Sequence, residues 1–158
     1  MIRKDELLAG FDDVWNHRWE SFEVTLKDIT EEEANFQHEA YRDAEPYPDE
    51  PPAGTIMWHL IHFAQCYEHY TNMIKARPVR PEDPPPPQAS SFDEGLALVR
   101  RNREVLRAAI DGVRDDALDE KVGNGDTVAM FVRMITRHDA WHLGQIAVAR
   151  RLYRTRPI

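Results

Sequence analysis

Ten of the 11 prolines fall between Pro46 and Pro87, and this crowding divides the chain before any periodicity is counted. Proline fixes φ and lacks an amide proton, so long helices must lie outside the two clusters or between them. Each window left over carries a helical pattern. From Asp5 to Ile29, the residues Leu7, Leu8, Phe11, Trp15, Trp19, Phe22 and Leu26 recur at steps of three and four, which predicts one amphipathic helix. Thr30 and Glu33 have capping-box spacing and predict a short turn. Thr55 can cap a second helix that runs to about Ala76. Ser91 and Glu94 form another capping box, opening a third helix (Phe92, Leu96, Val99, Val105, Leu106, Ile110) that Gly112 can close. A short turn is expected over Asp115 to Lys121. Thr127 caps a fourth helix lasting to about Tyr153. No strand pattern competes, so the expected class is all-α: a four-helix bundle with long loops between helices one and two and between helices two and three.

The second of those loops bears on topology. About fifteen residues of extended, proline-rich chain at ~3.1 Å each reach ~45 Å, whereas a helix from Thr55 to Ala76 spans only ~32 Å. The connection can return along the bundle, which allows helices two and three to be parallel and the order to be up-down-down-up.

Composition narrows the function. Lys and Arg total 20 against 28 Asp and Glu, a formal charge of −8, and this balance argues against binding a nucleic-acid backbone. The length of 158 residues fits a single domain over 1–158. One cysteine cannot form an internal disulfide, so a reducing, cytoplasmic setting is expected. No run approaches the ~18 apolar residues of a membrane span, and the charged N-terminus does not read as a targeting segment.

The seven histidines are the most informative residues. With His138 as the origin of a helical wheel, His142 falls at about 40°, and Phe131, Met134, Ile135, Ile146, Val148 and Leu152 lie within about 80° of the same line. Around His59 on the second helix, Ile56, Phe63, Cys66, Tyr70, Met73 and Ile74 lie within about 60°. His62 and His69 fall on the flank that leads to Gln65, Glu68 and Asn72, and they read as boundary residues. One buried histidine is commonly a hydrogen-bonded core residue. Three on facing stripes, two of them one helical turn apart, point instead to a shared divalent metal that satisfies their ring nitrogens. The stripes contain no inward Asp or Glu, so an ion there keeps its charge and an open position for water or substrate. Imidazole ligands suit Zn, Ni, Cu or Fe, and spacing does not select among them.

The segments Trp58-His59-Leu60 and His138-Asp139-Ala140-Trp141-His142-Leu143-Gly144-Gln145 resemble the DinB/YfiT-like superfamily, and the likeness covers nearly the whole chain. The resemblance implies His59, His138 and His142 as metal ligands, an up-down-down-up bundle, Zn or Ni as the ion, and a homodimer. Leu143 stands where many members carry Arg. Better understood relatives are thiol-dependent transferases and a maleylpyruvate isomerase, which implies a low-molecular-weight thiol and a small electrophilic substrate.

Other candidates are weaker. Gln145, which lies beside His138 and His142 on the wheel of the last helix, can orient a bound water or an imidazole. Cys66 is read as a small hydrophobe in preference to a ligand or nucleophile. The loop from His38 to Gly54, with Tyr41, Arg42, Tyr47 and five carboxylates, is placed to roof the site. Arg150, Arg151, Arg154 and Arg156 complement a helix C-terminus and could take an anion. Three readings follow: a thiol-dependent S-transferase or isomerase, a non-catalytic metal or small-ligand binding bundle with a stress-response role, and a metal-dependent hydrolase.

Overall fold

A computed structural model describes residues 3–41 and 51–157. The fold is all-α, and among the described residues the only β pairing is an isolated bridge between Lys121 and Thr127. Six α-helices follow in order: α1 (Lys4–Asn16), α2 (Phe22–Thr25), α3 (Glu31–Asn35), α4 (Ile56–Ala76), α5 (Phe92–Asp111) and α6 (Val128–Arg154). Single 3-10 turns cover Glu39–Tyr41 and Asp115–Ala117. None of the helices is long and apolar enough to cross a membrane.

The caps form where the sequence places them. The side-chain oxygens of Thr55, Ser91 and Thr127 accept from the backbone N–H of Trp58 (3.0 Å), Glu94 (3.3 Å) and Met130 (3.2 Å), each satisfying an otherwise orphaned donor. Gly112 closes α5. Thr30 caps α3 through Glu33 N–H at 3.1 Å, but the Glu33 carboxylate turns away to Arg154 at 2.9 and 3.1 Å.

The helix expected to run continuously to Ile29 stops at Asn16. Glu20 takes a left-handed φ of 50°, and Ser21 then caps α2. Trp19, assigned to the apolar stripe, is 64% exposed. The break has a packing reason. In an uninterrupted helix Phe22 would sit about 10 Å along the axis from Trp15. Instead the two rings stack at 4.6 Å, and Phe22 meets Phe63 of α4 edge-on at 4.8 Å. Val105 and Val148, also assigned to buried stripes, are exposed.

The core is one contiguous apolar cluster drawn from all six helices. α4 lies at its centre, packed against α5 and α6, while α1 packs on α6 and α5. Gly95 of α5 sits where an added Cβ would be 3.3 Å from Leu60 and 3.4 Å from Met57, and farther along Asn102 donates to the Ala64 carbonyl at 2.9 Å. Between α4 and α6, His59 contacts His142 while Tyr70 contacts Phe131. Between α1 and α5, Lys4 reaches Asp111 and Asp12 reaches Arg103 and Arg107.

The basic C-terminal end is spent on the fold. Arg150 donates to the carbonyls of Thr25 and Lys27, both at 2.7 Å, which satisfies the C-terminal carbonyls of the α2 turn. Arg154 binds Glu33, and Arg156 pairs with Glu32 at 2.8 Å and lies over the Tyr153 ring. These three guanidinium groups therefore already have carboxylate or carbonyl partners where the sequence suggests an anion site.

Candidate metal centre

Four of the seven histidines meet between α4 and α6. The i, i+3 spacing of His59 and His62, and the i, i+4 spacing of His138 and His142, place each pair on one helical face. His59 Nδ1 lies 2.9 Å from His142 Nδ1, and His62 Nε2 lies 3.2 Å from His138 Nε2. The rings of His138 and His142 are 4.5 Å apart, and those of His62 and His142 4.7 Å. His62, His138 and His142 each offer a ring nitrogen, and these three atoms lie within 4.8 Å of one another.

This geometry fits a divalent ion. Two nitrogens bound at 2.0–2.1 Å to a tetrahedral ion are about 3.3–3.4 Å apart, close to the His62–His138 separation. Burial, followed by the charges of His62 and His138, pushes His59 down to about 4. Burial and then His138 push His62 to about 4. His142 falls to about 2 through burial and then the charges of His138, His59 and His62. At neutral pH the rings of His59, His62 and His142 are therefore uncharged and each presents a lone pair. The walls are aromatic: Trp58 stacks on His62 at 5.1 Å, Phe63 meets His142 at 5.3 Å, and Tyr70 meets His138 at 5.8 Å. Such a shell lowers the local dielectric and strengthens ion–ligand attraction.

His62 is the member that the helical wheel assigns to the boundary. A wheel with a single inward direction fails for α4, because that helix is buried on two sides, against α5 and against α6. The flank that carries His62 is the one turned toward α6. The stacked Trp58 four residues earlier is the available signal, since a flat aromatic face fixes an imidazole plane. His59 is buried as expected, with its nitrogen against His142.

A second difference is acidic. The stripes predict no inward carboxylate, yet Asp139 is fully buried, at 0% exposure. It stands about 100° from His138 on the wheel, toward the side where α6 meets α1 and the Tyr67 ring of α4. Its Oδ2 accepts from the Tyr67 hydroxyl at 2.8 Å, and the Tyr67 oxygen accepts from Trp15 Nε1 at 3.1 Å. Burial raises the Asp139 carboxyl above its ordinary range, although His138 and Tyr67 work in the opposite direction.

The remaining candidates lie around this centre. Cys66 is half-buried, with Sγ 3.5 Å from His62 Nε2. Gln145 is half-buried three residues beyond His142. His69 pairs with Asp83 at 3.0 Å, which ties the proline-rich strap after α4 to that helix. In the expected roof, Tyr41 packs on Gly54, whereas Arg42 and Tyr47 lie outside the described residues.

Comparison with known proteins agrees with the helical class and the clustered histidines. The family model of the DinB superfamily matches residues 15–146, a span that contains all four. No curated protein and no solved structure is significantly similar to the chain. On the strength of that match, the chain belongs to the DinB superfamily.

Proposed function

We propose that the protein is a metal-dependent enzyme that binds one divalent ion, Zn or Ni, between α4 and α6 and uses it in small-thiol S-transfer or isomerisation of a small electrophile. The observation that carries the metal is the convergence of His62, His138 and His142, with their nitrogens within 4.8 Å. His138 and His142 supply two ligands. The third place falls to His59, which the sequence pattern favours, or to His62, which the 3.2 Å approach to His138 favours. A bound ion would supply a positive centre that favours the deprotonated form of a thiol or water. The chain's own residues do the rest. Neutral imidazoles offer ligands without adding charge, and the aromatic walls exclude water. Gln145 is assigned to orienting the bound ligand. The thiol and the electrophile enter this reading through family resemblance.

We also infer an up-down-down-up bundle. Successive contacts along α4 meet successive positions of α5 (Gly95 near Leu60, Asn102 at Ala64) but receding positions of α6 (His142 at His59, Phe131 at Tyr70). A cytoplasmic homodimer acting on a small molecule belongs to the same proposal.

The test is elemental analysis of tag-free protein with its His59→Ala and His62→Ala variants, followed by turnover assays with panels of cellular thiols and electrophiles. Stoichiometric metal is expected in the wild type, with loss of more than about 100-fold in affinity for the variant that removes a ligand and a lesser loss for the other. Wild-type protein that never takes up stoichiometric metal would sink the metal reading. Full metal with no thiol-dependent turnover would leave a binding bundle, and thiol-independent turnover of esters or amides would indicate a hydrolase.

A further inference from the structure

We infer that Asp139 is a positioning residue that fixes the tautomer of His138, and that its orientation is set from the far end of a buried chain running Trp15, Tyr67, Asp139, His138. The inference rests on the metal reading only in its consequence for affinity. The chain starts at an indole N–H, a group that can donate but never accept. Trp15 Nε1 donates to the Tyr67 oxygen at 3.1 Å, which leaves the phenolic proton free to go one way, to Asp139 Oδ2 at 2.8 Å. Asp139 is therefore an acceptor at Oδ2. Its other oxygen, Oδ1, is buried without a hydrogen-bond partner among the described residues.

A second orphaned polar atom faces that oxygen from the neighbouring ring. His138 Nδ1 is likewise buried and without a hydrogen-bond partner among the described residues, and it stands 3.7 Å from Asp139 Oδ1. That distance exceeds a hydrogen bond, yet two orphaned groups facing each other out of water are each costly, and a small side-chain rotation joins them. A proton on Nδ1 gives Oδ1 its donor. It also leaves Nε2, the atom 3.2 Å from His62 Nε2, as a bare lone pair aimed into the cluster. Polarity thus passes from a donor-only indole on α1, through α4, to a ligand-ready nitrogen on α6. A carboxylate behind the ring additionally raises its basicity as a ligand and brings a negative charge toward a site otherwise built from neutral rings.

The experiment uses the full-length chain with Asp139→Asn and Tyr67→Phe, both nearly isosteric, and has two readouts. In metal-free protein near neutral pH, imidazole ¹⁵N shifts should show His138 protonated at Nδ1 in the wild type. Asp139→Asn should mix the two tautomers, and Tyr67→Phe should do so to a smaller degree. In competition titrations with Zn²⁺ and with Co²⁺, Asp139→Asn should weaken affinity about 10- to 100-fold, and the same substitution on a His138→Ala background should change affinity by less than about twofold. A wild-type His138 protonated at Nε2 overturns the inference, as does an Asp139→Asn protein with unchanged tautomer and affinity. If Asp139→Asn fails to fold, the Tyr67→Phe tautomer shift decides, and its absence counts against the chain. If the wild type shows the Nδ1 proton but takes up no Zn²⁺ or Co²⁺, the metal function falls while the positioning role of Asp139 stands.

Discussion

Two buried polar regions flank the same core and are built on opposite principles. Between α1 and α5, Arg103 is buried at 4% exposure beside Asp12 at 2.7 Å, the Phe11 carbonyl at 3.4 Å, and the faces of the Phe11 and Trp15 rings at 4.6 and 5.0 Å, although its Nε has no hydrogen-bond partner among the described residues. Arg107 adds a second pairing to Asp12 at 2.9 Å. Opposite charges meet there, and structure explains the site. Between α4 and α6, four groups of the same kind meet, and burial together with the neighbouring rings holds down the protonation of His59, His62 and His142. The first region is held by the attraction of unlike charges, and the second gathers like groups that suit the ion proposed for it.

The largest expected effect tests the metal proposed for the second region. Replacing both His138 and His142 with Ala should abolish measurable uptake of Zn²⁺ or Ni²⁺ by elemental analysis, while Asp12→Ala should leave uptake intact. If the two replacements have equal effects on metal content, the contrast is wrong. The converse holds for stability. Asp12→Ala strands a buried guanidinium and should cost roughly 3 kcal/mol in urea unfolding.

Acid should separate the regions by pH. For His59 and His62, held at about 4 in the folded protein against an ordinary 6.5, the unfolded state takes up protons first. Their contribution is therefore complete above about 6.5 and declines as pH falls through about 4. Burial alone would raise Asp12, but its hydrogen bonds to Arg107 and Arg103 outweigh this and hold it below 3.8, so its contribution fails only at more acidic pH. Chelator-treated protein melted across pH 7 to 3 should show the earlier decline, and the His138→Ala, His142→Ala protein should show it flattened. The smallest effect is a control: Thr127→Ala, at the cap of the helix that carries His138 and His142, should cost about 1 kcal/mol without altering metal content.

The helices with strong caps were legible because their signals are local. Thr55, Ser91, Gly112 and Thr127 act within one turn of themselves, and proline excludes helix wherever it clusters. The break at Asn16 was not legible, because it exists to bring Phe22 onto Trp15 and Phe63, and Phe63 belongs to another helix. The same distinction runs through the site. His59, His138 and His142 stand out by their own periodicity. His62 and Asp139 become readable only when a helix has two neighbours, so that its wheel has two inward directions. Asp139 also depends on Trp15 and Tyr67, whose hydrogen bonds join positions 52 and 72 residues apart.

His62 and His138 are separated by 76 residues of sequence, a stretch that includes the proline-rich strap and all of α5. An ion held by both would clasp the ends of that stretch in any chain that kept it, folded or not, and the entropy of such a tether grows only with the logarithm of its length. Lengthening the strap by a few residues should therefore cost little of the clasp's leverage, which leaves the segment between α4 and α5 free to vary while the two helices that grip the ion stay fixed.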